Sequence, residues 1–228
     1  SPSGGAAPLA GPVPAPAAPA PPACGDGPAL VASLSTRDKL AQLLMVGVRN
    51  AADARAVVET YHVGGIMIGS WTDLSMLTDG SLPDTANAGP LPLAVSVDEE
   101  GGRVSRLASL IGASPSARVL AQTQTPDEVY QLALSRGQKM RGLGITVDFA
   151  PVVDVSDQGD DTVIGDRSFS NDPATVTAYA GAYARGLRDA GVLPVLKHFP
   201  GHGHGSGDSH TAGVVTTPRP KADPGRQH

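Results

Sequence analysis

The chain has 228 residues, 40% hydrophobic and 17% charged, with a formal net charge of −5, proportions that fit a folded globular domain and exclude a disordered polyampholyte. Aromatic residues make up only 4% and no basic stripe is present, so base stacking and phosphate neutralisation have little to work with and no nucleic-acid partner is expected. No run of about 18 apolar residues occurs, and therefore no membrane span is expected.

Residues 1–33 are dominated by Pro, Ala and Gly, a composition that favours extended, solvated chain over a packed core. They are expected to form a disordered tether. A tether of this kind suits an exported protein held at the cell envelope, as in a lipoprotein whose signal would precede Ser1. Cys24, the single cysteine, is then either a free thiol or half of a pair.

The stretch 34–48, "LSTRDKLAQLLMVGV", offers Ser35 and Thr36 as a helix start, apolar Leu40, Leu43 and Leu44 at helical spacing, and a strand in "LLMVGV". "ARAVVETYHVGGIMIGS" repeats a helix followed by a buried strand, "GGIMIG", and "LAVSV" (93–97) is the next such run. "TPDEVYQLALSRGQKMRGLG" predicts a capped helix ahead of the strand "ITVDFAPVV". "DPATVTAYAGAYARGLRDAG" predicts another, ahead of "VLPVL".

Strand and helix thus alternate through short Gly-rich joints, the pattern of a parallel α/β sheet or barrel. Charged groups gather where strands end: Asp98, Glu99 and Glu100, then Asp148 and Asp154, then Lys197 and His198. A (β/α)8 barrel collects such groups on one rim, and a doubly wound sheet also uses its strand ends, so this feature alone leaves both folds open.

"DEEGGRVSRL" (98–107) pairs acids with Arg103 and Arg106, an arrangement that suits either a rim salt bridge or a polyhydroxylated ligand. Arg167 sits in a turn-rich loop. "KHFPGHGHGSGDSH" (197–210) is less ordinary: Asp208 and His210, at i and i+2, are placed to form a carboxylate–imidazole pair suited to proton transfer. A metal site built from His198, His202, His204, Asp208 or His210 matches no familiar ligand spacing. A Schiff-base aldolase using Lys197 is a stronger alternative, although it leaves the Gly/His loop without a task.

Taken together, "DEEGGRVSRL", "ITVDFAPVVDV", "IGDRSFS" and above all "KHFPGHGHGSGDSH" resemble the motifs of family 3 glycoside hydrolases, in the β-N-acetylglucosaminidase branch. The resemblance implies a (β/α)8 TIM-type barrel and a retaining exo-enzyme acting on terminal β-linked N-acetylglucosamine, with no cofactor and no metal. Glycans derived from the cell wall (peptidoglycan) are the expected source of that sugar. It assigns His210 as general acid/base and Asp208 as the residue that orients it. Asp98, Arg106, Arg167, Lys197 and His198 match the sugar-holding residues.

The family's nucleophilic aspartate belongs to a later segment resembling "SDDL", which this sequence lacks. Five strand candidates stand against the eight of a barrel that typically takes about 250 residues. The domain plan is therefore a tether (1–33), the N-terminal part of the barrel (34–217) and a Pro-rich tail outside the family pattern (218–228). A truncated, inactive form that still binds N-acetylglucosamine, or one repaired by a complementing C-terminal fragment, is the accompanying expectation. So is a phosphorylase variant, because a histidine acid/base leaves the site less negative than a carboxylate would. Asp98, Asp148 and Asp154 are weak candidates for a substitute nucleophile.

Overall fold

The computed structural model describes residues 26–205 and 207–211. The expected tether over residues 1–25 with Cys24, the end of the barrel part beyond residue 211 and the tail 218–228 lie outside the described residues.

Residues 27–33, assigned above to the tether, instead form a helix, α1 (Gly27–Ser33), whose first turn is capped by the Asp26 carboxylate accepting from the Ala29 N–H at 3.1 Å. An Asp cap followed by Pro28 inside the first turn is a helix start that the Pro/Ala composition had concealed. Helix α2 (Thr36–Ala41) starts at Ser35, whose hydroxyl accepts from the Asp38 N–H at 3.1 Å. It buries only Ala41. Leu40, Leu43 and Leu44 are exposed, so their helical spacing does not mark a face of this core.

The chain then alternates as expected: β1 (Met45–Val48), α3 (Ala51–Tyr61), β2 (Gly65–Ile68), α4 (Leu82–Ala86), β3 (Ala94–Val97), α5 (Ala108–Ile111), α6 (Ala117–Thr123), α7 (Pro126–Gly142), β4 (Val147–Asp148), α8 (Pro173–Asp189) and β5 (Leu193–Pro194). All five strand candidates are present. They form one sheet in the order β1-β2-β3-β4-β5 with every neighbour parallel. A doubly wound sheet would reverse its strand order part-way, so the unbroken sequential order is that of a barrel. The described residues supply five strands of an incomplete (β/α)8 barrel.

Alternation along the strands sets the two faces of the sheet. Val48, Ile66, Ile68, Val95 and Val97 are at most 1% exposed and pack against the helices. Met45, Gly47, Met67 and Ala94 line the opposite face and are less covered. Helix α7 opens with a reciprocal capping box between Thr125 and Glu128, and lays Val129, Ala133 and Met140 against Val176, Ala180, Tyr183 and Leu187 of α8 in a common core. Close approach of these helices depends on Gly186, where a Cβ would lie 2.6 Å from the Tyr130 carbonyl oxygen. Strands β1 and β5 are the edges of the sheet, and Leu193 and Leu196 on or beside β5 remain exposed.

Candidate active site

Strand β3 runs directly into Asp98, Glu99 and Glu100, and the period of two sends them to different sides. Glu99 goes to the helix side and is fully buried. Its Oε1 accepts from the Ser105 hydroxyl at 2.6 Å, the Leu107 N–H and Arg136 Nη2 at 3.3 Å, and its Oε2 accepts from the Arg106 N–H at 3.1 Å. One buried carboxylate therefore folds the Gly101–Leu107 turn back onto the sheet and fixes the backbone of Arg106. The Arg106 guanidinium makes no hydrogen bond among the described residues, which leaves it available to a ligand.

Asp98 and Glu100 meet the chain that follows β5. Lys197 Nζ lies 2.5 Å from Asp98 Oδ1 and 2.6 Å from Glu100 Oε1. Arg167 grips the same Glu100 in a fork, Nε to Oε2 at 2.9 Å and Nη2 to Oε1 at 2.8 Å. Burial alone would raise the Glu100 carboxyl, but Arg167 and Lys197 outweigh it and hold the group below its ordinary range. Glu100, which the sequence argument named among the strand-end acids but gave no site role, is thus the hub joining two sugar-holding candidates. Its spacing of two from Asp98 was the available signal.

Arg167 is delivered by a long loop that other arginines staple down. Arg118 donates to the carbonyls of Ser156, Gln158 and Gly165, and Arg103 reaches Asp166 and the carbonyls of Thr162, Val163 and Ile164. Arg103 is therefore spent on loop structure, and Arg106 is the arginine of that pair left for a ligand.

His198 is placed by Asp154, a buried carboxylate after β4. Asp154 Oδ2 lies 2.6 Å from His198 Nδ1 and accepts from the His198 N–H at 3.2 Å, while Oδ1 accepts from the His202 N–H at 2.6 Å. Burial opposes the charge on Asp154, but these donors prevail and keep its carboxyl below the usual range. The contact assigns the ring proton to Nδ1. Nε2 is then an acceptor, 3.4 Å from Arg167 Nη2. His202 stands edge-on to this ring.

Asp208 and His210 form the expected pair: the Asp208 carboxylate accepts from the His210 N–H at 2.9 Å and faces its Nδ1 at 2.8 Å. These contacts lower the Asp208 carboxyl, with the His210 backbone N–H contributing most. The His210 side chain is 90% exposed, and among the described residues neither member of the pair bonds to the Lys197 cluster. Asp98, Arg167, Lys197 and His198 are thus brought together, the Arg106 backbone is fixed by Glu99, and the dyad makes no hydrogen bond to that cluster among the described residues, although the charge of Arg167 reaches Asp208.

Two of the alternatives weighed above lose support in this geometry. Lys197 Nζ is held between two carboxylates, whereas a Schiff-base aldolase needs its lysine unpaired in an apolar setting. The substitute nucleophiles also have other tasks: Asp98 binds Lys197, Asp154 holds the histidine loop, and Asp148, fully buried behind the sheet, accepts from the Glu99 N–H at 3.0 Å.

Residues 35–224 match the sequence profile described as the glycosyl hydrolase family 3 N terminal domain. This chain belongs to that family. It is 71% identical over 204 residues to the beta-hexosaminidase LpqI of Mycobacterium tuberculosis, covering 89% of this chain and 52% of the relative. It is 34% identical to a beta-hexosaminidase of Idiomarina loihiensis, covering 76% and 54%. Its fold matches a solved family 3 member from Mycobacterium smegmatis with a TM-score of 0.78 at 80% identity, over 79% of this chain and 55% of that one. The chain spans about half the length of the curated relatives it matches.

Proposed function

We propose that this chain carries the sugar-holding half-site of a retaining β-N-acetylglucosaminidase, an enzyme that removes terminal β-linked N-acetylglucosamine. The observation that carries the proposal is the meeting of Asp98, Glu100, Arg167, Lys197 and His198 at the C-terminal ends of β3 and β5, the rim where barrels place their chemistry. The names of the relatives, beta-hexosaminidase, support it.

Asp98 Oδ2 and His198 Nε2 accept from sugar hydroxyls, and Lys197 and Arg106 donate to them. Asp208 holds the proton of His210 on Nδ1, so Nε2 is the atom that exchanges protons. It protonates the departing glycosidic oxygen and later takes a proton from water. The loop must close to bring His210 to the bond, in keeping with its present exposure. A retaining reaction also needs a nucleophilic carboxylate, which we assign to the half of the relatives' length that this chain does not span.

We place the substrate among cell-wall-derived glycans and the protein at the cell envelope, a reading supported by the Pro/Ala-rich composition of residues 1–33.

Hydrolysis of 4-nitrophenyl β-N-acetylglucosaminide by this chain, beside a version extended to the relatives' length, tests the proposal. Turnover by the extended chain alone, with N-acetylglucosamine bound by both, is expected. Equal turnover by both would overturn the nucleophile assignment; neither binding nor turnover in either would overturn the function. Replacing water by phosphate and assaying for the sugar 1-phosphate separates hydrolase from phosphorylase.

A further inference from the structure

Trp71 is the sole tryptophan of the chain, and it is 60% exposed. Its indole is nevertheless fixed on one side. A Cβ on Gly69 would lie 2.5 Å from the ring and a Cβ on Gly47 2.9 Å from it, so the ring lies across two backbone positions that only glycine leaves open. The turn carrying it is tied to the end of β1: the Thr72 hydroxyl donates to the Val48 carbonyl at 2.6 Å and accepts from the Gly69 N–H at 2.9 Å. The Asp73 N–H donates to the Arg49 carbonyl at 2.7 Å.

Those contacts place the ring at the rim described above. In the parallel register Ile68 stands beside Val97, and Gly69 and Asp98 are the residues that directly follow this last pair of β2 and β3. Gly47 lies on the same face of the sheet as Met45, the face opposite the helix-packed core. The indole thus covers the sheet face at Gly47 and Gly69, at the end of the strand paired with the one that leads into Asp98, and is 60% exposed. Phe199, 97% exposed, makes no ring contact among the described residues and has no such support.

We propose that Trp71 is a stacking platform for the second pyranose ring of a β-linked N-acetylglucosamine oligosaccharide, adjoining the sugar held by Asp98 and Lys197. The proposal rests on the sugar-holding site proposed above. The C–H face of a pyranose is apolar and matches the size of an indole. A tryptophan packed beforehand loses little freedom when such a ring settles on it. The Asp98 cluster reads hydroxyls, and Trp71 reads the extended apolar face of a longer chain.

Because no other tryptophan contributes, emission reports on this residue directly. We would titrate the 228-residue chain with N-acetylglucosamine and with N,N′-diacetylchitobiose, following emission and, independently, the heat of binding. The disaccharide is expected to bind about tenfold more tightly than the monosaccharide and to change the emission, a gap of the size an aromatic contact supplies. Trp71→Ala is expected to remove the gap and leave the monosaccharide unchanged, whereas Asp98→Asn weakens both sugars. Trp71→Leu, which keeps an apolar side chain over the glycines, loses the same gap and guards against misfolding of the alanine variant. If both Trp71 variants keep the disaccharide preference, the platform is overturned while the sugar site stands. If the unmodified chain binds neither sugar by heat, the sugar site falls and the platform with it.

Discussion

Lys197 Nζ is shared between Asp98 and Glu100 at 2.5 and 2.6 Å, so the residue before His198 is tied to the end of a strand 99 positions earlier. Glu100 also anchors Arg167 through both carboxylate oxygens. Glu100→Gln leaves Arg167 with a neutral partner and Lys197 with Asp98 as its remaining carboxylate in a nearly buried place, and the expected loss of stability is about 2–4 kcal/mol, read by urea unfolding. Its carboxyl lies below the ordinary value when folded. That stabilisation is therefore present above about pH 4.5, the unfolded value, and is lost as pH falls through the lower folded value. Glu100→Gln is expected to flatten this acid limb. An acid limb unchanged in the variant would show that Glu100 is not the linked group.

Asp154 serves the loop rather than the chemistry. It accepts from two backbone N–H groups and one imidazole, and Asp154→Ala strands these donors at a cost of about 2–3 kcal/mol. Hydrogen exchange at the His198 and His202 amides is expected to accelerate, with N-acetylglucosamine binding lost in parallel. Protection that persists in the variant would remove Asp154 from this role.

His210 lies at the other extreme. Its side chain is 90% exposed, so His210→Ala is expected to change stability by less than about 0.5 kcal/mol. Turnover by the version extended to the relatives' length should fall about 10²- to 10⁴-fold, with sugar binding kept. Full turnover by that variant would remove His210 as the acid/base.

What the sequence made legible follows from which interactions are local. Strands 45–48, 65–68 and 94–97 announce themselves as apolar runs, and Thr125 with Glu128 writes a helix start into four adjacent positions. The alternation alone did not choose between barrel and doubly wound sheet, since strand order is decided by packing between distant segments; the family motifs pointed to the barrel, and the sheet has its order. The same holds within the site. Asp208 and His210 are near neighbours and were found together, whereas the bond from Glu100 to Arg167 spans 67 positions and that from His198 to Asp154 spans 44. The short helix Gly27–Ser33 was hidden by its composition, and Leu40, Leu43 and Leu44 copied a buried helical face without being one.

Asp148 provides the last test. It points from β4 into the helix layer and is fully buried; its Oδ1 accepts from the Glu99 N–H, and its Oδ2 has no hydrogen-bond partner among the described residues. Burial first, opposed by that N–H but reinforced by the charges of Glu99 and Asp98, raises its carboxyl well above the ordinary 3.8. Arg136 and Tyr183 belong to the same buried group. A raised folded value means that the native state keeps a proton which the unfolded chain releases. Stability tied to Asp148 is complete below about pH 3.8 and declines as pH rises toward the folded value. Asp148→Asn keeps an acceptor for the Glu99 N–H and cannot ionise, so it is expected to be more stable than the unmodified chain at neutral pH and to lose this decline. Urea unfolding at a series of pH values measures both effects. A variant less stable at neutral pH would show that the Asp148 carboxylate is paired there as an anion.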